Sequence, residues 1–116
     1  RSARTAQRRI EYEQAVLELE ETESEVKLEI ASAKSDYEFS LENLETQKRS
    51  LALANRIEDK NQIKFFEGLA TSFELSEAQT QLYDAQQNYL QAMLDVIIAK
   101  VELENLIDTN LYDNEN

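Results

Sequence analysis

Proline, cysteine, histidine and tryptophan are absent from this chain of 116 residues, and glycine occurs once. Without proline, and with a single glycine, the usual helix breakers are missing along nearly the whole length, so the elements are few and long, with one interior break. A compact domain of this size needs several connections marked by Gly, Pro or Asn-Gly pairs, and none of those clusters occurs. The lack of cysteine excludes a disulfide framework and thiolate metal sites, and suits a periplasmic or a cytosolic home equally. With neither His nor Cys there is no Ser-His pair, no thiolate nucleophile and no imidazole cluster, and one glycine cannot build a phosphate-cradling loop. No EF-hand run is present either. Carboxylate pairs do occur, but acid-base work needs them in a desolvated pocket, which a two-helix rod rarely makes. The expectation is therefore no enzyme, no cofactor and no metal.

Long apolar runs are also missing. Val96-Ile97-Ile98-Ala99 is among the longest, far short of the roughly 20 residues that a spanning helix requires. Arg1 to Arg9 is basic but lacks the apolar core of a signal peptide behind it, so the chain reads as a piece of something longer. With 24 acidic and 12 basic residues, a formal charge of -12 repels phosphate backbones and anionic lipid headgroups rather than attracting them, which argues against nucleic-acid binding. Most of these charges, including the acidic stretch from Glu11 to Glu29, read as a solvated helix surface.

What is present is periodicity. Leu19, Ile30, Leu41, Ala52 and Ile63 recur every 11 residues, with Leu17, Leu28 and Phe39 beside them. That interval corresponds to about 3.67 residues per turn, which suits a nearly straight or slightly right-handed rod. A heptad thread, Ile30, Tyr37, Leu44 and Leu51, runs through the same region, so the first helix carries a mixed register. Helix from about residue 5 to 67 spans on the order of 90 Å. In the second half Leu75, Leu82, Tyr89, Val96 and Leu103 sit seven apart, and Ala78, Ala85, Ala92, Ala99 and Leu106 fill the alternate seam positions. Large residues on one row and alanine on the other let two helices approach closely in an antiparallel pair. A second stripe, Tyr83, Leu90, Met93, Ile97 and Val101, lies off that seam and asks for a further neighbour, in a ring of helices or a dimer of hairpins.

Gly68 sits where a left-handed residue ends a helix. Thr71 and Glu74 have capping-box spacing for a restart. The reading is an all-α chain forming one long antiparallel coiled-coil hairpin. Its long helix covers about 5–67, its tip turn 68–72, its shorter helix 73–108, and a polar tail that frays or leaves the bundle covers 109–116.

The run from Phe65 to Gln79 (Phe-Phe-Glu-Gly-Leu-Ala-Thr-Ser-Phe-Glu-Leu-Ser-Glu-Ala-Gln), with Gln86-Gln87-Asn88-Tyr89-Leu90-Gln91-Ala92 and Ala99-Lys100-Val101-Glu102-Leu103-Glu104, resembles the TolC-like outer-membrane efflux protein family. The resemblance is specific from about Leu51 to Leu106. It implies a segment of a periplasmic α-helical tunnel in a homotrimer, with the membrane reached through a β-barrel outside this chain. Gly68, Leu69, Ala70, Thr71 and Ser72 would meet the hairpins of a periplasmic adaptor protein, working with an inner-membrane pump. Glu74 and Glu77, six and nine residues after the glycine, would ring the channel entrance and favour cations. For Glu74 the capping box is a competing duty. Two departures stand out: Phe65 and Ala70 replace the tyrosine and arginine of the family's gating links, and no glycine closes the second helix. The implied function is passive conduction of substrates for efflux or type I secretion, in the periplasmic part of a Gram-negative outer-membrane protein. The alternatives are the coiled-coil hairpin of an adaptor, flanked by lipoyl-like β segments, and a generic structural scaffold.

Overall fold

The computed structural model describes residues 1–115. Two helices account for nearly all of them: α1, Ser2–Phe66, and α2, Ser72–Glu115. They lie antiparallel, with Ile57 beside Gln81, Asp36 beside Glu102 and Val26 beside Asn110. The result is a rod of 99 × 23 × 14 Å, without strands among the described residues.

The seam obeys a heptad on both helices. On α1 the shielded positions include Ile30, Ala33, Tyr37, Ser40, Leu44, Gln47, Leu51, Ala54, Glu58 and Asn61, at alternating steps of three and four. On α2 they include Leu75, Ala78, Leu82, Ala85, Tyr89, Ala92, Val96, Ala99, Leu103 and Leu106. A spacing of about 3.5 residues per turn keeps both rows facing one another along the pair, and this decides the mixed register of α1. Leu17, Leu28, Phe39, Leu19, Leu41 and Ile63 stay exposed, and of the 11-residue rows only Ile30 belongs clearly to the seam. Small residues permit the close approach: Ala33, Ala78, Ala92 and Ala99 are buried, with Ala92 only 1% exposed. Each half-buried leucine contributes on the order of 1 kcal/mol. No large side chain is fully buried among the described residues.

Both ends of the helices differ from the sequence reading. α1 begins at Ser2 rather than near residue 5, because Ala3, Arg4, Ala6 and Gln7 favour helix and the Thr5 hydroxyl donates back to the Arg1 carbonyl at 2.9 Å. The polar tail is a correction: α2 does not stop near 108 but continues through residues 109–115. Nothing there blocks the backbone ladder, since no Gly or Pro follows Ile107, and α1 still lies alongside. Asn110 is half-buried and, with Asp113, sits against Val26, while Asn114 lies near Leu19 and Thr22. Asn116 is outside the described residues.

Polar groups are settled locally. Thr22 donates to the Glu18 carbonyl at 2.9 Å, and the side-chain amide of Gln91 donates to Asp95 at 2.9 Å. Among the described residues no buried side-chain nitrogen or oxygen lacks a partner. The Arg49–Glu45 pair, at 3.8 Å and well exposed, adds little stability.

Candidate functional site

α1 closes in a Schellman motif. The Glu67 cap is still right-handed (φ -86°, ψ -1°), and Gly68 turns the chain with φ +77°. The Leu69 N–H then reaches back to the Lys64 carbonyl at 2.7 Å, and the Gly68 N–H to the Phe65 carbonyl at 3.1 Å. Ala70 N–H also donates to Lys64, at 3.3 Å. Carbonyls that a helix end leaves orphaned are thereby satisfied, and the turn has a defined shape.

Thr71 opens α2. Its hydroxyl accepts from the Glu74 N–H at 3.1 Å, and its carbonyl accepts from the Leu75 N–H at 3.1 Å. Only this half of the capping box forms; the Glu74 carboxylate makes no return bond to Thr71. Ser72 lies inside α2 rather than in the turn, which runs from Glu67 to Thr71. Ala70 is half-shielded, whereas Leu69 is 73% and the flanking Phe66 83% exposed. Phe65 and Phe66 meet edge to face at 5.9 Å. The tip therefore presents apolar surface on a turn of defined hydrogen bonding.

Glu74 and Glu77 come together. Both are exposed, and they line a shallow groove with Ile57, Asn61, Ala78 and Gln81. A spacing of three places their carboxylates on adjacent turns of one face. The positions given to the helix-pairing seam, Leu75, Ala78, Leu82, Ala85, Tyr89, Ala92, Val96, Ala99 and Leu103, all lie between the helices, each buried or half-buried. The second stripe divides: Tyr83, Leu90, Ile97 and Val101 are exposed, whereas Met93 is half-shielded.

One cluster near the tip escaped the sequence reading. Glu58 is 8% exposed in the seam, and its carboxylate accepts from the Gln62 side-chain amide at 2.6 Å. Half-shielded Asn61 lies on the same face. The signal was available, because the thread Ile30, Tyr37, Leu44, Leu51 continued by seven arrives at Glu58. Apolar side chains thus give way to polar ones on the α1 side of the seam near the tip. Among the described residues no group of three or more acidic, His or Cys side chains is placed to hold a metal, and no helix is long and apolar enough to cross a membrane.

Over residues 1–109 the chain matches the outer membrane efflux protein family. No curated protein and no solved structure matches it.

Proposed function

The chain belongs to the outer membrane efflux protein family, whose members are components of outer-membrane efflux channels, and on that basis we propose that it is a periplasmic tunnel segment of a homotrimeric export duct. The match across nearly all of the hairpin carries this reading. The exposed apolar rows outside the seam, Leu17, Leu28 and Phe39 on α1 and Tyr83, Leu90, Ile97 and Val101 on α2, favour it over a lone hairpin, because both flanks offer surface to neighbouring helices. In the duct, Gly68, Leu69, Ala70, Thr71 and Ser72 form the tip that meets a periplasmic adaptor. The duct itself is passive, and an inner-membrane pump supplies the energy for efflux or type I secretion.

At the entrance, threefold repetition of Glu74 and Glu77 gathers carboxylates into a narrow opening. Such a ring concentrates negative potential where bulk screening is weak, and it favours cations. Full-length protein in planar bilayers should conduct, and Glu74→Ala together with Glu77→Ala should reduce its cation preference, read from the reversal potential in a salt gradient. Unchanged selectivity rejects the ring. Absence of conductance rejects the channel reading itself.

A further inference from the structure

On the two flanks of the seam the places nearest it differ in sign. Along the paired stretch Glu29, Asp36, Glu74, Asp95 and Glu102 stand one residue before the large row of their helix, where no base occurs. Lys27, Lys34, Lys48 and Lys100 stand one residue after the small row, where no acid occurs. In a heptad pair these places lie on opposite sides of the seam. The acidic flank holds a groove of about 240 Å³ whose walls include Asp36 and Phe39 from α1 and Asp95, Ile98 and Glu102 from α2. Its floor is made by Ser40 and Ala99, both buried, while Phe39 and Ile98 are exposed. Because the seam repeats every 3.5 residues, the row Leu17, Leu28, Phe39 drifts around α1 by about 50° per step, which brings Phe39 onto this flank. Asp36 and Glu102 stand beside each other across the groove, and Asp95 lies about 10 Å further toward the tip. The one ion pair among the described residues, Arg49–Glu45, involves none of the three. Toward the tip the same flank offers Leu53 and Ile57 without a ring, and Asp84 is the one charged residue beside them.

We propose that this groove is a subsite for amphipathic cations, small molecules that join an aryl or alkyl body to an ammonium head. Charge complementarity selects them. Asp36 and Glu102 face one another without a base between them, and a cation placed there relieves their repulsion. An ammonium head over the Phe39 ring gains a cation–π contact, and its apolar body covers Ile98. The size fits, since an apolar cavity of about 150 Å³ admits benzene and the larger groove leaves room for the head. An anion meets three carboxylates, and the Ser40 hydroxyl on the floor already donates to the Tyr37 carbonyl at 2.7 Å. The groove shares its flank with Glu74 and Glu77, from which Asp95 stands about 30 Å along α2. A cation that passes the entrance ring therefore meets a second station on the same face. This deepens the proposed duct by naming a substrate class, and rests on it only in taking that flank as the lumenal one.

The test is a nuclear magnetic resonance titration of the 116-residue chain with benzyltrimethylammonium, beside tetramethylammonium, which lacks the ring, and benzenesulfonate, which reverses the charge. Benzyltrimethylammonium should shift the signals of Phe39 and Ile98, tetramethylammonium should bind more weakly, and benzenesulfonate should leave both signals in place. Asp36→Asn, Asp95→Asn and Glu102→Gln combined should weaken binding about eightfold, at roughly twofold per exposed charge. Phe39→Leu, which keeps an apolar side chain but no ring, should weaken it about threefold. Glu18→Gln, Glu20→Gln and Glu21→Gln combined, an equal charge change about 22 Å or more from Asp36 along α1, should leave it intact. Circular dichroism checks that each variant keeps its helix content. Absence of shifts at Phe39 and Ile98, equal binding of benzenesulfonate, or binding that survives the first triple change overturns the proposal. Shielding of the groove by self-association as protein concentration rises, read by light scattering, assigns it to a second copy and also overturns it. Conductance does not enter these readouts, so a duct that conducts without this binding, and binding without conduction, are separable results.

Discussion

Replacing Gly68 by alanine tests the reversal on which the hairpin depends. A Cβ at this position would meet no atom within 4 Å, so the substitution creates no clash, and its effect is confined to the backbone. At φ +77° an alanine is in the left-handed region, at a cost of about 1 to 2 kcal/mol. In a continuous helix the same alanine is better than glycine by about 1 kcal/mol. The two terms act together, shifting the balance between the turn and an unbroken helix by roughly 2 to 3 kcal/mol. At low concentration the hairpin persists because opening it exposes the whole seam. Its melting temperature, followed by circular dichroism, should fall by about 4 °C per kcal/mol of strain. At high concentration the opened form gains a partner, since two unbroken rods can pair their seams by exchange. Small-angle scattering should then detect particles approaching 170 Å, from about 1.5 Å per residue, against 99 Å for the hairpin. Gly68→Asn should be milder, because asparagine tolerates the left-handed region. A Gly68→Ala variant that melts at or above the parent temperature and keeps its length at every concentration refutes the reasoning.

Other substitutions probe the remaining features. Thr71→Ala removes the hydroxyl that accepts from Glu74 and should cost about 1 kcal/mol in urea unfolding, while Thr71→Ser should restore most of it; equal loss in both would mean that the cap is not the cause. Ala92→Leu forces a larger side chain into the closest part of the seam and should destabilise by about 1 to 3 kcal/mol, with no loss indicating a looser helix approach. Glu58→Leu exchanges a buried carboxylate, bonded to one neutral side chain, for an apolar group, and should raise the melting temperature by a few degrees, on the order of 1 kcal/mol. A fall would show that Glu58 contributes more through Gln62 than its desolvation costs.

The two-rod architecture was legible because a chain with one glycine and no proline has few ways to stop a helix. The second helix was plain since large and small residues alternate along it without competition. The first was ambiguous, because two periods cross at Ile30, and periodicity alone does not say which row meets the partner. The outcome follows from α2: its heptad seam can match only a heptad on α1. The course of the tail was not legible because its polarity suggests fraying, whereas no breaker is present and a neighbouring helix lies alongside. At the tip, Thr71 and Glu74 had the spacing of a reciprocal cap, but spacing does not reveal that only the hydroxyl engages. Glu58 is invisible in the apolar rows because it is a charged residue standing in their register. Nothing physical in the pattern names a channel; that came from resemblance and from the family match over residues 1–109.

Among the described residues no large side chain is fully enclosed, and this has a consequence for how the protein comes apart. Each rung of the ladder leans on its immediate neighbours and on the rung across from it, much as in a zip, so strength accumulates with length instead of being concentrated in one place. In the 116-residue chain amide exchange should therefore quicken gradually from mid-ladder toward the ends of the two strips, with no single step at which all protection vanishes. A defect introduced at one rung should be felt over a few turns and little beyond, which lets a conduit wall change its surface piecemeal while keeping its length.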